Sequence, residues 1–222
     1  MAEDLLIRNG YRGTSFGLIA GKLKMTRANI HYHFGNKRLL VEEVLQDYVD
    51  ATSEKLHEIW TAPDIALIEK IELMMEFSRE RHAKYNPPDK HGRPWSLIAR
   101  MRQDSEFLTP KGRAALQRFG HDLTANIRIA IESAKDKKEF DASMPTEDVA
   151  LQLVSIANSA GPITQDAASF ERLEQLYRGF ARIISLAFAT KRRRKHRVNS
   201  RKIARVGSVR KRPGSSFARG NA

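Results

Sequence analysis

Arg27 and Asn29 carry the side chains that hydrogen-bond best to the edges of DNA bases. A guanidinium can donate two hydrogen bonds to guanine, and a carboxamide can form a matching pair with adenine. With Ala28 between them, both residues fall at the exposed start of a segment predicted to be helical. This spacing predicts contacts to base edges in the major groove. The alternative is that Arg27 and Asn29 are ordinary solvated surface residues.

Hydroxyl and ammonium groups occur where the neighbouring helices are predicted to begin. Free N–H groups at a helix N-terminus suit phosphate oxygens, and such contacts fix position without reading sequence. We predict phosphate contacts for four residues: Thr14, Ser15, Thr26 and Lys37. His31 and Tyr32 are predicted at the rim of the groove, whereas His33 and Phe34 are predicted to pack the helix.

Signals for catalysis or metal binding are poor. Gly17–Leu23 has the glycines and lysine of a phosphate-binding loop, but the spacing is one residue short and no Ser or Thr follows the lysine. His82, Asp89 and His91 could approach one metal ion, but we interpret them as surface residues. With no Cys, thiol catalysis and Cys-ligated zinc are excluded. We expect no enzyme activity, no catalytic or metal site and no cofactor.

The basic residues are concentrated at the two ends of the chain. The 222 residues contain 39 Lys and Arg against 26 Asp and Glu, a net charge of +13. Residues 191–222 hold 13 Lys and Arg and no acid, whereas residues 1–190 balance to zero. Residues 1–38 hold seven Lys and Arg against Glu3 and Asp4. This asymmetry favours a polyanion bound at the ends.

Nearly all of residues 2–190 show the three- and four-residue apolar spacing of helices, without the alternation of strands. A first helix is predicted to end at Gly10, a second to be capped by Thr14 or Ser15, and a third by Thr26. A long fourth helix follows from Asn36. Three short helices and a long one predict a helix-turn-helix unit and its connector.

The remaining chain predicts a helical body. We expect an all-α fold with a helix-turn-helix DNA-binding domain (1–45), a helical ligand-binding and dimerisation domain (46–190), and a basic tail (191–222) that is predicted to be disordered because it is too polar to form a packed core. Gly161 and Pro162 are predicted to end the helix that begins at Thr146. The predicted helices of the body span 65–85, 95–107, 110–138, 146–160 and 169–189.

Two apolar surfaces in the body suggest partners, each with burial inside one subunit as the alternative. A broad stripe on the last two helices, widened by Ile183 and Leu186, suits a four-helix dimer interface. A group of Met, aromatic and aliphatic residues could line a ligand cavity. Its members are Met74, Met75, Phe77, Trp95, Ile98, Met101, Phe107, Leu116 and Phe119.

Residues 26–40, TRANIHYHFGNKRLL, resemble the recognition helix and following helix of the TetR family of bacterial repressors. Gly10-Tyr11, Thr14-Ser15 and Ile19-Ala20 match the family upstream at the expected spacing, so the resemblance covers about residues 2–48. His31 stands where the family usually has tyrosine. The phosphate contact that the resemblance implies for this tyrosine would here come from the imidazole of His31 or from Tyr32.

The resemblance implies a homodimeric, sequence-specific repressor. It would insert its third helix into each half-site of a palindromic double-stranded operator and be released by an unidentified small molecule. The alternative is an effector-independent DNA-coating or architectural protein dominated by its basic tail. The longest uncharged apolar stretch, 183–189, is too short to cross a bilayer, and the acidic start does not suit a signal peptide. We expect a cytoplasmic protein with no membrane partner.

Overall fold

The computed structural model describes residues 1–190, which form nine α-helices. Strand-like pairing within this range is limited to one bridge between Phe140 and Ala189. The predicted all-α fold is confirmed, while the predicted tail over 191–222 lies outside the described residues. The helices are α1 (Ala2–Gly13), α2 (Phe16–Leu23), α3 (Arg27–Phe34), α4 (Lys37–Thr61), α5 (Leu67–Tyr85), α6 (Leu97–Gln103), α7 (Pro110–Asp136), α8 (Thr146–Asp166) and α9 (Glu171–Phe188).

Side-chain caps start α2, α3 and α4 where the sequence predicts them. Ser15, Thr26 and Asn36 each accept a hydrogen bond from the backbone amide three residues later, at 3.1–3.2 Å. Each cap satisfies an amide that has no partner inside its helix. The starts of these three helices are therefore positioned by local chemistry, and Ile30 of α3 is fully buried.

Helix α1 is interrupted at Gly10, where the sequence predicts the end of the first helix, and the chain bends there. Gly10 has φ 70° and ψ −175°, a conformation open to glycine, and one more helical turn runs to Gly13. A Cβ at position 10 would lie 2.7 Å from side-chain atoms of both Arg100 and Asp104. The bend thus brings the backbone of α1 directly against α6 and the residue that ends it.

Helix α4 connects the N-terminal helices to the body. Its first turns bury Leu40, Val41 and Leu45, and its far end buries Ile59 and Trp60. The predicted boundary after residue 45 falls inside this helix, so the division into two functional domains stays a prediction. Beyond α4, α7 packs along it, α8 packs on α7, and α9 packs on α8 and α5.

Helix α8 runs through Pro162, contrary to the predicted end at Gly161-Pro162. A proline inside a helix removes one backbone hydrogen bond, so other contacts must hold the last turn. Thr164, fully buried, donates to the carbonyls of Ala160 and Gly161 at 2.9 Å and accepts from the indole N–H of Trp95 at 2.7 Å. Tertiary packing overrides the local signal here.

Candidate DNA-binding interface

Helix α3 presents one exposed face to solvent. Thr26 caps it, and Arg27, Ala28 and Asn29 in its first turn are all exposed, as predicted for groups that approach base edges. Ile30, fully buried, fixes the helix on the other N-terminal helices. The first turn therefore stands free of the protein's own core.

The guanidinium of Arg27 lies against the backbone of α2. A Cβ at Gly17 would come within 2.6 Å of Nη2 of Arg27, so the missing side chain at position 17 makes room for this cation. The contact holds Arg27 at the junction of α2 and α3.

The aromatic residues of α3 divide differently from the prediction. His31 packs edge-on against Phe16, with ring centroids 4.5 Å apart, and its Nδ1 lies 2.9 Å from the carbonyl oxygen of Gly35. As the donor of that hydrogen bond, Nδ1 carries the proton and Nε2 is left free. Tyr32 is 87% exposed, and His33, predicted to pack the helix, is also exposed. Tyr32 is thus the freest aromatic group for a DNA contact.

Thr14 does not reach the surface, which corrects its predicted phosphate contact. The residue is fully buried, and its hydroxyl donates to the carbonyl of Gly10 at 2.8 Å, with the carbonyl of Leu5 at 3.2 Å. Its role is to hold the bend of α1. The exposed neighbour Ser15 is the cap of α2 and keeps its place in the predicted interface.

Lys37, at the first position of α4, is partly buried. Its Nζ lies 4.1 Å from the ring centroid of Tyr11, a cation–π contact that the sequence did not reveal. Burial lowers the pKa of Lys37, while the nearby Asp104 acts in the opposite direction. If this ammonium group binds a phosphate, the phosphate has to share the group with the ring of Tyr11.

The N-terminal helices carry an uninterrupted positive charge. Residues 5–41 contain seven Lys and Arg and no Asp or Glu. The acids that precede them face elsewhere: the hydroxyl of Tyr85 donates to Asp4 at 2.7 Å, and Lys84 lies 3.7 Å from the same carboxylate. The surface around α3 is therefore suited to a polyanion.

The sequence did not predict a junction between α1 and the segment that follows α6. Tyr11 stacks on Phe107, with ring centroids 5.2 Å apart and planes 8° from parallel. The guanidinium carbon of Arg12 lies 4.6 Å from the ring centroid of Phe107. Arg38 donates to the carbonyls of Phe107 and Leu108 at 3.1 and 2.9 Å. Phe107, predicted to line a cavity, instead joins the N-terminal helices to the body.

A small cavity lies between α4, α5, α6, α7 and α8. Five of the nine predicted residues line it: Met74, Phe77, Trp95, Ile98 and Phe119. Met75, Met101 and Leu116 do not, because they are buried in the surrounding core. The cavity volume is about 60 Å³. Drug-sized ligands occupy pockets of roughly 300–1,000 Å³, so this one would have to open to admit them.

Residues 1–190 contain neither a cluster suited to a metal ion nor a helix suited to span a membrane. Within this range, no group of three or more His, Asp or Glu is placed to hold a metal ion, and His82 is buried against Trp95 and Phe170. None of the described helices has the length and apolar character needed to span a membrane.

A comparison with known protein families gives a match for the N-terminal helices. Residues 1–44 match the family model described as "Bacterial regulatory proteins, tetR family". No curated protein matches the chain. The resemblance found in the sequence is thereby confirmed for this part of the chain.

Several solved structures share the fold of this chain. A TetR-family regulator from Agrobacterium tumefaciens aligns with a TM-score of 0.71 and 16% identity, covering 82% of this chain and 93% of its own. Reduced NemR of E. coli aligns with a TM-score of 0.67 and 15% identity, covering 81% and 90%. A cysteine variant of the regulator CifR, complexed with a 26-base-pair operator DNA, aligns with a TM-score of 0.63 and 19% identity, covering 82% and 91%.

Proposed function

Residues 1–44 belong to the TetR family of bacterial regulatory proteins and the described chain has the fold of the family's regulators, and from these findings we propose that the protein is a sequence-specific transcriptional regulator. The observation that carries the proposal is the exposed first turn of α3 within a segment, residues 5–41, that holds seven Lys and Arg and no Asp or Glu. Each α3 would enter the major groove of one operator half-site.

Within this interface we assign different roles to the predicted residues. Arg27 and Asn29, beside Ala28, would read base edges. Ser15, Thr26 and Lys37 would fix the protein on the phosphates, and Tyr32 and His31 would contact the rim of the groove. The structure of CifR with its operator supports the use of this fold on duplex DNA.

We propose that the regulator is a homodimer built on α8 and α9. Ile183 and Leu186 of α9 are 64% and 74% exposed in the single chain, and Leu151 of α8 is 61% exposed. Exposed aliphatic side chains on two adjacent helices mark an interaction surface. A second copy would bury them in a four-helix contact and place two α3 helices on one palindrome.

We further propose that a small molecule in the cavity releases the operator. Helix α6 supplies Ile98, Ala99 and Arg102 to the cavity, and the same segment contacts α1 through Arg100 and Asp104. A ligand that displaces α6 would therefore shift α1 and the spacing of the two α3 helices. Operator affinity would fall, which makes the regulator a repressor released by its effector.

Selection of bound DNA from a random pool tests the proposal. We expect enrichment of a palindrome whose half-sites lie about 10–10.5 base pairs apart, or a multiple of that spacing. The alternative is an effector-independent DNA-coating protein, favoured by the 13 Lys and Arg after residue 190. Near-equal affinity for selected and random DNA at one salt concentration would establish that alternative in its place.

A further inference from the structure

The charged part of the cavity wall is cationic. Of the 18 residues that line the cavity none is Asp or Glu, whereas two, Arg81 and Arg102, carry a guanidinium. The rest of the wall is mainly apolar, including Leu56, Met74 and Trp95. Such a wall would accept an apolar body together with a negatively charged group.

The guanidinium of Arg102 has no anionic partner in the described part of the chain. Its Nη1 donates to Oδ1 of Asn158 at 2.7 Å, and the ring centroid of Phe119 lies 6.0 Å from its Cζ. Among residues 1–190, no carboxylate lies within 4.0 Å of it, and burial alone lowers the pKa of Arg102. The five N–H donors of this planar guanidinium are thus partly removed from water, and the acceptor beside them, Oδ1 of Asn158, is neutral. A carboxylate would satisfy the remaining donors and the charge together.

Arg81 is in a different position. Its Cζ lies 4.4 Å from the ring centroid of Tyr48 and 5.4 Å from that of Phe77. Arg81 also lines a neighbouring open groove together with Glu3 and Asp47. Because two aromatic rings already interact with the cation of Arg81, whereas the ring of Phe119 lies 6.0 Å from Arg102, Arg102 has the stronger demand for an anion.

Two neutral groups complete the arrangement. Since Oδ1 of Asn158 accepts from Arg102, the amide nitrogen of Asn158 is left to donate beside it. The hydroxyl oxygen of Thr52, another residue of the wall, is buried without a hydrogen-bond partner. An unsatisfied buried hydroxyl is costly and is relieved by a polar atom brought in by a ligand. Asn158 is exposed, so the Arg102 end of the cavity is its mouth.

We propose that the cavity binds a small monocarboxylic acid, with its carboxylate at Arg102 and Asn158 and its apolar body between the aromatic and aliphatic walls. This inference rests on the proposed effector role of the cavity and names the chemical class of the effector. The limited volume favours a slender or flat body over a bulky one.

The test compares acids with alcohols of the same shape on the full chain. Octanoate is paired with octan-1-ol and benzoate with benzyl alcohol, and binding is measured by calorimetry and by the shift in melting temperature. In the wild-type protein we expect at least one acid to bind about 10-fold or more tightly than its alcohol. Arg102→Gln should remove this preference while alcohol binding persists. Arg118→Gln, which removes an exposed arginine of α7 outside the cavity, should leave it unchanged.

Equal binding of acid and alcohol by the wild-type protein, for both pairs, would overturn the inference. So would an acid preference that survives in folded Arg102→Gln. If that variant fails to fold by circular dichroism, Arg102→Lys supplies the comparison, because it keeps the charge and loses the fork; an undiminished preference there counts against the guanidinium. An Arg102-dependent acid that binds without altering operator affinity would support the inference and overturn the effector role on which it rests.

Discussion

The backbone amide of Tyr11 donates a hydrogen bond to Oδ2 of Asp104 at 2.8 Å and so joins α1 to the residue that ends α6. The ring of the same tyrosine stacks on Phe107 and accepts the ammonium of Lys37 on its face. Because Arg102, two residues before Asp104, lines the cavity, the short segment 102–107 touches both the cavity and the N-terminal helices. A movement of α6 would therefore act on the N-terminal helices through the hydrogen bond between Asp104 and Tyr11.

Asp104→Ala should lower the free energy of unfolding by about 1–3 kcal/mol, because it leaves the part-buried amide of Tyr11 without an acceptor. Urea denaturation measures the change. Asp122→Ala, at an exposed aspartate of α7, serves as the control and should stay within about 0.5 kcal/mol of wild type. Equal effects of the two substitutions would mean that the Tyr11–Asp104 bond contributes nothing to stability.

Gly10→Ala should be more damaging than Gly21→Ala. At Gly10 a methyl group meets positive φ and two side chains at 2.7 Å, and backbone strain of this kind costs on the order of 1–3 kcal/mol. At Gly21, inside α2, a methyl group meets no atom within 4 Å and should stabilise by up to about 1 kcal/mol. Thermal unfolding of both variants gives the comparison; similar melting temperatures would contradict the packing of the bend against α6.

The sequence sufficed where local chemistry decides the structure. The caps Ser15, Thr26 and Asn36 and the apolar spacing define the helix-turn-helix segment without reference to distant residues. It failed where a distant contact decides. Thr14 is a plausible surface hydroxyl until the bend at Gly10 buries it, and Pro162 is a plausible helix end until Trp95 and Thr164 hold the following turn.

The cavity illustrates the same limit. A stripe of apolar residues indicates that a helix face is buried but not which side chains surround a void, so Met74 lines the cavity and the adjacent Met75 does not. The charged wall residue Arg102 gave no sequence signal, because an arginine on a helix is ordinarily a surface residue. Only the arrangement of α6 against α7 and α8 reveals that its guanidinium faces a cavity.

Asn29→Ala and Arg27→Ala should each reduce affinity for the selected operator by about 1–3 kcal/mol and relax the preference at one base pair per half-site. Lys37→Ala should weaken all sequences alike, because phosphates carry no sequence information. Competition binding with single-base operator variants distinguishes the two patterns. A uniform loss for Asn29→Ala would reassign Asn29 to the phosphate backbone.

Replacing Ile183 and Leu186 together by Glu should convert the dimer to a monomer. Near a two-fold axis each new carboxylate would meet its own copy, and the apolar area that drives association would be lost. Sedimentation should show monomers with an unchanged helical circular dichroism signal. Replacing the exposed Ile129 of α7 by Glu is the matched control and should leave the dimer intact. A dimer that survives the double substitution would place the interface elsewhere.

Ending the chain at Thr190 should flatten the dependence of operator affinity on salt while leaving the preferred sequence unchanged. The removed residues hold 13 Lys and Arg, equal to the whole net charge of the protein. Each phosphate that a cation neutralises adds about 0.9 to the slope of log affinity against log salt concentration. If half of these cations reach phosphates, the slope of a dimer falls by several units, and the truncated protein keeps the base contacts of α3 that determine sequence preference. Binding isotherms of both proteins across a salt series measure this. Identical slopes would mean that the terminal charges stay off the DNA and that the N-terminal helices alone account for its electrostatic attraction.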